Sequence, residues 1–318
     1  MKMKNWIFIA IVLVLIGGIL FVGVMTKLSW DFSKLSTVTY ERNDYNISEN
    51  YQNISVSTDT ANIVFTPSDN NQTTISCYEQ ENAKHTVSVV DGTLVIEADT
   101  TQKWYEKIGI NFGSPKITVS IPQGEYGKLS ARSDTGSVKI PNNFKFESID
   151  VLQSTGKVIN NASATNTIKI KTSTGGIEIE NVSATSLDLS VSTGKVDVTG
   201  VICEGEVNIK VTTGKANLRD IRCKNLISSG DTGSISLNKV IANEKLWVKR
   251  STGDIKLNSS DANEIFIETD TGDVTGTLLS EKVFITKTDT GSVLVPNSVT
   301  GGRCEITTDT GDIKISIE

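Results

Sequence analysis

Five copies of the triplet Asp-Thr-Gly, starting at Asp134, Asp231, Asp270, Asp289 and Asp309, carry the most recognisable chemistry in this sequence of 318 residues. Two such aspartates facing each other can share a proton and activate water for peptide hydrolysis, as in aspartic proteases. Their placement points elsewhere. The triplet is one form of a phrase, Asp/Ser/Thr-Thr-Gly, that ends at Gly136, Gly156, Gly175, Gly194, Gly214, Gly233, Gly253, Gly272, Gly291 and Gly311, with 19 or 20 residues from each glycine to the next. A position taken by Asp, Ser or Thr in every unit is turn chemistry, in which a short side-chain oxygen bonds the turn's own amides. Protease activity is therefore not expected.

Other constellations are weaker. Asp270, Asp273, Asp289, Asp309 and Asp312 cluster at the last corners, and carboxylates held on successive rungs can ligate calcium through oxygen. The alternative is a solvated acidic edge that discourages lateral association. Earlier corners present Lys157, Lys195 and Lys215 instead, a polarity suited to orienting a partner or to plain solubility. Cys203 and Cys223 each follow a corner glycine by nine residues. Stacked units would bring their Cα atoms into disulfide range with side chains nearly parallel, so a disulfide and two separate buried thiols both stay open. Cys77 and Cys304 have no evident partner, and no spacing fits a zinc motif. The single histidine, His85, has no nucleophile motif to serve and is expected at the surface. No cofactor is expected.

The repeat itself must position these residues, and a fixed period marks a stacked architecture. Leu187, Leu189 and Val191 precede Gly194, with Val196 and Val198 after it; Val207, Ile209 and Val211 precede Gly214, with Ala216 and Leu218 after it. Alternation with period two means strands with one dry face. Two main strands meeting at a glycine corner predict an all-β parallel β-solenoid, β-helix-like, of about ten coils of 19–20 residues. The glycine answers a positive φ or the close approach of the next coil. Stacked in chain order from Thr135 to Thr310, such coils make a rod roughly 50 Å long. Evenly spaced strands also suit a β-sandwich, but Greek-key connections do not readily give so constant a corner.

Along the chain, residues 1–5 form a short N-terminus with Lys2 and Lys4. Residues 6–25, Trp6 to Met25, carry no charge and match the bilayer core as one transmembrane helix. The lysines favour a cytoplasmic N-terminus, and the exit at Gly23-Val24-Met25-Thr26 lacks a clear cleavage site, which favours an anchor over a signal peptide. Residues 26–50 read as a juxtamembrane linker, with Trp30 either at the membrane interface or docked on the domain. Residues 51–125 read as an N-terminal β cap with a hairpin at Asp91-Gly92; within it Asp59-Thr60-Ala61-Asn62-Ile63 resembles a degenerate corner and a first coil. Residues 126–318 form the solenoid, with no obvious cap at the edge ending in Glu318. A net charge of −6 argues against a nucleic-acid partner.

The apolar N-terminal segment, the run Lys116-Ile117-Thr118-Val119-Ser120-Ile121-Pro122 and the Ser/Asp-Thr-Gly-x-Ile/Val repeats together resemble the bacterial putative-adhesin family of β-strand-repeat domains of unknown function, which includes LiaG-like envelope proteins. The resemblance covers nearly the whole chain. It implies a cell-surface β-solenoid, sometimes associated with envelope-stress systems, and carries over no catalytic residue. The expectation is a single-pass membrane protein, C-terminal domain outside, acting as a surface scaffold or binding module. Its partners would be the membrane, through one helix, and an unidentified envelope protein or glycan. No enzymatic activity is expected, because short uniform connections give a catalytic groove no walls. A carbohydrate-active enzyme on a β-helix, or an accessory of an envelope-stress sensor, remains the alternative.

Overall fold

The computed structural model of the chain describes residues 3–35, 39–99 and 113–318; Lys2 lies outside the described residues. The helix α1 (Met3–Lys27) is apolar on every side, and Trp6, Phe8, Leu13, Val14, Phe21 and Val24 stand exposed along it. Such a helix has no single face to bury against protein, and it is long and apolar enough to cross a membrane. Trp30 folds back onto it, its ring meeting Phe21 edge-on at 6.5 Å between centroids.

From Tyr40 onward, the regular structure among the described residues is β-strand, connected as one sheet. Successive coils pair in parallel and in register: Leu187 opposite Val207, Leu189 opposite Ile209, Gly194 opposite Gly214, Val196 opposite Ala216. The rows Ile149, Ile168, Leu187 and Val207 are fully buried. Each such side chain contributes about 1.5–3 kcal/mol that no coil could gain alone.

Both reasons for glycine at the corner hold at once. The ten corner glycines have φ between +121° and +154°, and a Cβ on Gly214 would run into the carbonyl oxygen of Gly194. The coil also turns a second time. Asn181, Gly200, Asp220, Lys239 and Ser259, each six residues past a corner glycine, have φ of 47° to 67°. The residues after them form a third, short strand, pairing Val201 with Ile221, Cys223 with Ala242 and Ala242 with Ala262.

At the N-terminal end the strands are β1 (Tyr40–Ile47), β2 (Asn53–Thr60), β3 (Asn62–Pro67), β4 (Thr73–Gln80), β5 (His85–Val90), β6 (Thr93–Ala98) and β7 (Lys116–Ile121). β2 and β3 make a true first coil with Ala61 at its corner, Thr60 opposite Thr135 and Ile63 opposite Val138. β6 and β7 then stack in parallel on its outer side, Val56 opposite Ile96 and Ile63 opposite Ile117. Part of the expected cap is thus itself a coil, placed out of chain order. Antiparallel strands close this end: β5 joins β6 through Asp91-Gly92, both at positive φ, while β4 lies on β7 and β1 on β4. β1 corrects the reading of residues 26–50 as linker. Its outward Arg42, Asp44 and Asn46 mask the alternation, yet Tyr45 and Ile47 pack on the core.

The C-terminal end also departs from chain order. Thr271 pairs with Thr310 and Val274 with Ile313; Thr310 in turn pairs with Thr290 and Ile313 with Val293. The coil of Gly311 is inserted between those of Gly272 and Gly291, so the outer edge is Lys282–Thr290 and not the segment ending at Glu318. Burial explains the order. The inserted coil turns Cys304, Ile306, Ile313 and Ile315 inward, all buried, whereas the outer one offers Lys282, Phe284, Thr286 and Val293. Placing the more apolar set inside buries more apolar surface.

Candidate functional site

The five triplet aspartates Asp134, Asp231, Asp270, Asp289 and Asp309 all point to solvent. The turn chemistry falls to the preceding residue, which faces inward. Thr308 Oγ1 donates to Gly272 O at 3.1 Å, Thr288 Oγ1 to Gly311 O at 3.0 Å and Ser133 Oγ to Thr135 O at 3.1 Å. This corrects the expectation that the Asp/Ser/Thr position itself bonds the turn: alternation places that residue on the wet face, one step from the amides and carbonyls it would serve. In the coil of Gly253 the inward position is Arg250, 1% exposed. It occupies the space left by Gly230 one coil back, and its Nη2 donates to Ser228 Oγ at 3.1 Å. Burial pushes its guanidinium down to about 10, against the opposing pull of Asp231.

The candidate calcium residues divide into two rows. Asp270, Asp309 and Asp289 succeed one another on the outside in that spatial order, not in chain order. Asp273 and Asp312 are engaged by the backbone. Asp254 Oδ1 accepts the amide of Asp273 at 3.2 Å, Asp273 Oδ1 that of Asp312 at 2.8 Å, and Asp312 Oδ1 that of Ser292 at 2.8 Å. Asp312 also meets Lys314 at 2.6 Å, and these donors hold its carboxyl down at about 2, Lys314 foremost. The row works as a chain of corner caps, each satisfying the next coil's amide.

Cys203 and Cys223 stack on adjacent coils as their spacing implies, yet the structure holds all four cysteines as free, buried thiols. Cys203 Sγ donates to Thr185 O at 3.2 Å. The two belong to a row of small residues on the third strand, Ala184, Cys203, Cys223, Ala242 and Ala262, where a small apolar side chain is what the coil needs.

His85 is not at the surface. At 6% exposure it begins β5 and lies against β2 and β4, its ring nitrogens 2.6 Å from Glu79 Oε2 and 2.9 Å from Thr58 Oγ1. Glu79, 1% exposed, also accepts the His85 amide at 2.8 Å and Asn43 Nδ2 at 2.8 Å. Beside them runs a cavity of about 240 Å³ bordered by Thr60, Lys84 and Pro115. Isolated in sequence, these residues gave no motif; only the reversal between β4 and β5 brings them together.

The outward faces carry polar rows linked from coil to coil. Asn217 Nδ2 donates to Asp197 Oδ1 at 2.8 Å, Lys249 pairs with Glu268 at 2.7 Å, and Lys157 pairs with Glu178. Exposed pairs of this sort add little stability; they set the chemistry of a surface that repeats at β spacing.

The β-solenoid agrees with what comparison finds for residues 51–318. The Toastrack DUF4097 family model matches residues 51–215 and 204–318, and the chain belongs to that family. Among solved structures, a putative adhesin from Bacteroides fragilis is 18% identical, covering 87% of this chain and 97% of its own, with a TM-score of 0.45. A putative lipid binding protein from Parabacteroides distasonis is 15% identical, covering 88% and 98%, with a TM-score of 0.47. A putative adhesin from the same species is 12% identical, covering 87% and 98%, with a TM-score of 0.34. No curated protein matches the chain.

Proposed function

We propose that the chain is a membrane-anchored, extracytoplasmic scaffold or binding module without catalytic activity. The helix α1 holds it in the bilayer as an uncleaved signal-anchor, N-terminus inside, and its solenoid faces contact an envelope protein or a wall glycan. The observation that carries this reading is the stacked polar surface, in which equivalent side chains recur on parallel strands roughly 4.8 Å apart. Such an array suits an extended or repetitive polar partner. Chemical crosslinking of the intact protein in its native envelope tests it. The expected result is recovery of a specific protein or glycan that is lost from Gly214→Val, in which the corner is disrupted. Recovery of nothing beyond the Gly214→Val background would count against a binding role. Replacing residues 6–25 with a cleavable leader is expected to release the domain from the membrane fraction.

A further inference from the structure

At the N-terminal end, three side chains of ligand type meet inside the protein. Cys77 and Glu79 lie two residues apart on β4 and so face the same way. The reversal after Gln80 lays His85 over them. Cys77 is 0% exposed, Glu79 1% and His85 6%, and Cys77 Sγ, a Glu79 carboxylate oxygen and a His85 ring nitrogen all lie within 4.8 Å of one another. This is the one such group of His, Cys, Asp or Glu side chains among the described residues.

We propose that Cys77, Glu79 and His85 bind a divalent transition-metal ion of the zinc class. The donor set decides the class: one sulfur, one nitrogen and one oxygen suit zinc or cobalt and disfavour calcium and magnesium, which take oxygen ligands. Charge supports it as well. A thiolate, a carboxylate and a neutral imidazole cancel a charge of +2, so the loaded site is neutral in a place where an unpaired ion would be costly. Binding requires Glu79 Oε2 and His85 Nδ1 to part slightly from 2.6 Å, toward the roughly 3.3 Å that two ligands about 2 Å from a tetrahedral ion keep between them.

The surrounding contacts are those a metal site uses to orient its ligands. Asn43 Nδ2 fixes one Glu79 oxygen at 2.8 Å. Thr58 Oγ1 sits 2.9 Å from His85 Nε2, placed to accept the proton that remains on that nitrogen when Nδ1 binds the ion. Glu79 and His85 also border the cavity of about 240 Å³, from which water fills the fourth position of a tetrahedral ion. The Cys77 thiol gives up its proton to solvent as the sulfur–metal bond forms.

The test uses the full-length protein in detergent, stripped with a chelator and titrated with Zn²⁺ and, separately, Co²⁺. The expected result is one ion per chain and, for Co²⁺, a tetrahedral spectrum with a thiolate-to-metal charge-transfer band. Cys77→Ser removes that band. Cys77→Ser and His85→Ala each weaken binding by more than about 100-fold, while Thr58→Val, which loses only the orienting contact, weakens it about 10-fold. Cys304→Ser leaves binding unchanged. Circular dichroism checks that each variant is folded, and the wild-type cobalt spectrum decides even if a variant is not. No stoichiometric uptake by the folded wild type, a cobalt spectrum without thiolate, or undiminished binding by folded Cys77→Ser would overturn the proposal.

Discussion

Gly311 stacks directly on Gly272, its missing Cβ facing the Gly272 carbonyl oxygen, although Gly291 lies between them in sequence. The Lys282–Thr290 strand accordingly pairs with Gly302–Thr310 and with no other described strand. Removing residues 302–318 takes away its whole docking edge. Hydrogen exchange is expected to show amides 282–290 losing protection in that truncation, while amides 226–250 keep theirs. Retained protection over 282–290 would mean that this strand can dock on Ile265–Thr271 by itself.

Corner glycines in mid-stack carry two penalties for any side chain. At Gly214, φ is +139° and a Cβ meets the Gly194 carbonyl. Gly214→Val is expected to cost more than about 3 kcal/mol, summing backbone strain and displaced backbone. Gly176 serves as the comparison. Its Cβ would meet Lys195 O at 3.4 Å with no positive φ, so Gly176→Ser is expected to stay within about 0.5 kcal/mol. Urea denaturation of both variants reads the difference.

The corners and the two main strands were legible because each coil repeats one local rule: glycine for the turn, and period-two alternation for the dry face. The second corner was equally local. Asn181, Gly200 and Asp220, at one offset from their glycines, are residue types that tolerate positive φ, but Lys239 and Ser259 at the same place dilute the signal. Spatial order was hidden for a different reason. The 19- or 20-residue period continues unchanged through Gly291 and Gly311, and which coil lies inside depends on a comparison across the stack, Ile306 against Thr286. The buried group of Cys77, Glu79, His85 and Thr58 was out of reach for the same cause, since it forms between strands that are not neighbours in the repeat.

Free thiols on a packed row predict silence toward alkylation. Burial pushes Cys223 and Cys304 up to about 12, so little thiolate forms at neutral pH. Iodoacetamide is expected to modify Cys203, Cys223 and Cys304 only after denaturant is added, and mass spectrometry without reductant should find no link between Cys203 and Cys223. A linked peptide would show that the row can close into a disulfide in its own compartment.

Arg250 is a cation held among corner carbonyls, and its guanidinium donates to Lys249 O and to Ser228 Oγ rather than to a carboxylate among the described residues. Its folded value of about 10 lies below the ordinary guanidinium range, so burial disfavours the charged form, and the cost is present in full at any pH below about 10. Arg250→Met keeps most of the volume beside Gly230 and removes the charge. It is expected to raise stability by roughly 1 kcal/mol or more, with the gap to wild type narrowing as pH climbs through about 10. A loss of stability in the variant would show that the hydrogen bonds outweigh the desolvation.

Asp312 supplies the opposite case. Its donors, Lys314 first and then the Ser292 amide and hydroxyl, lower its carboxyl from 3.8 to about 2. A carboxylate lowered in the folded state stabilises fully above its ordinary value and ceases to do so as pH falls through the folded one. The corner at Ser292 lies on the outermost coil among the described residues, with no further described coil to hold it. Between pH 4 and about 2 the Ser292 amide is therefore expected to lose exchange protection before the amide of Asp273, which is capped by Asp254 deeper in the stack. Asp312→Asn keeps an oxygen acceptor but cannot titrate, so its Ser292 amide should show little change over the same range. Equal acid sensitivity in the variant would place the cause at another carboxylate of the outer corner, Asp289 being the first to replace.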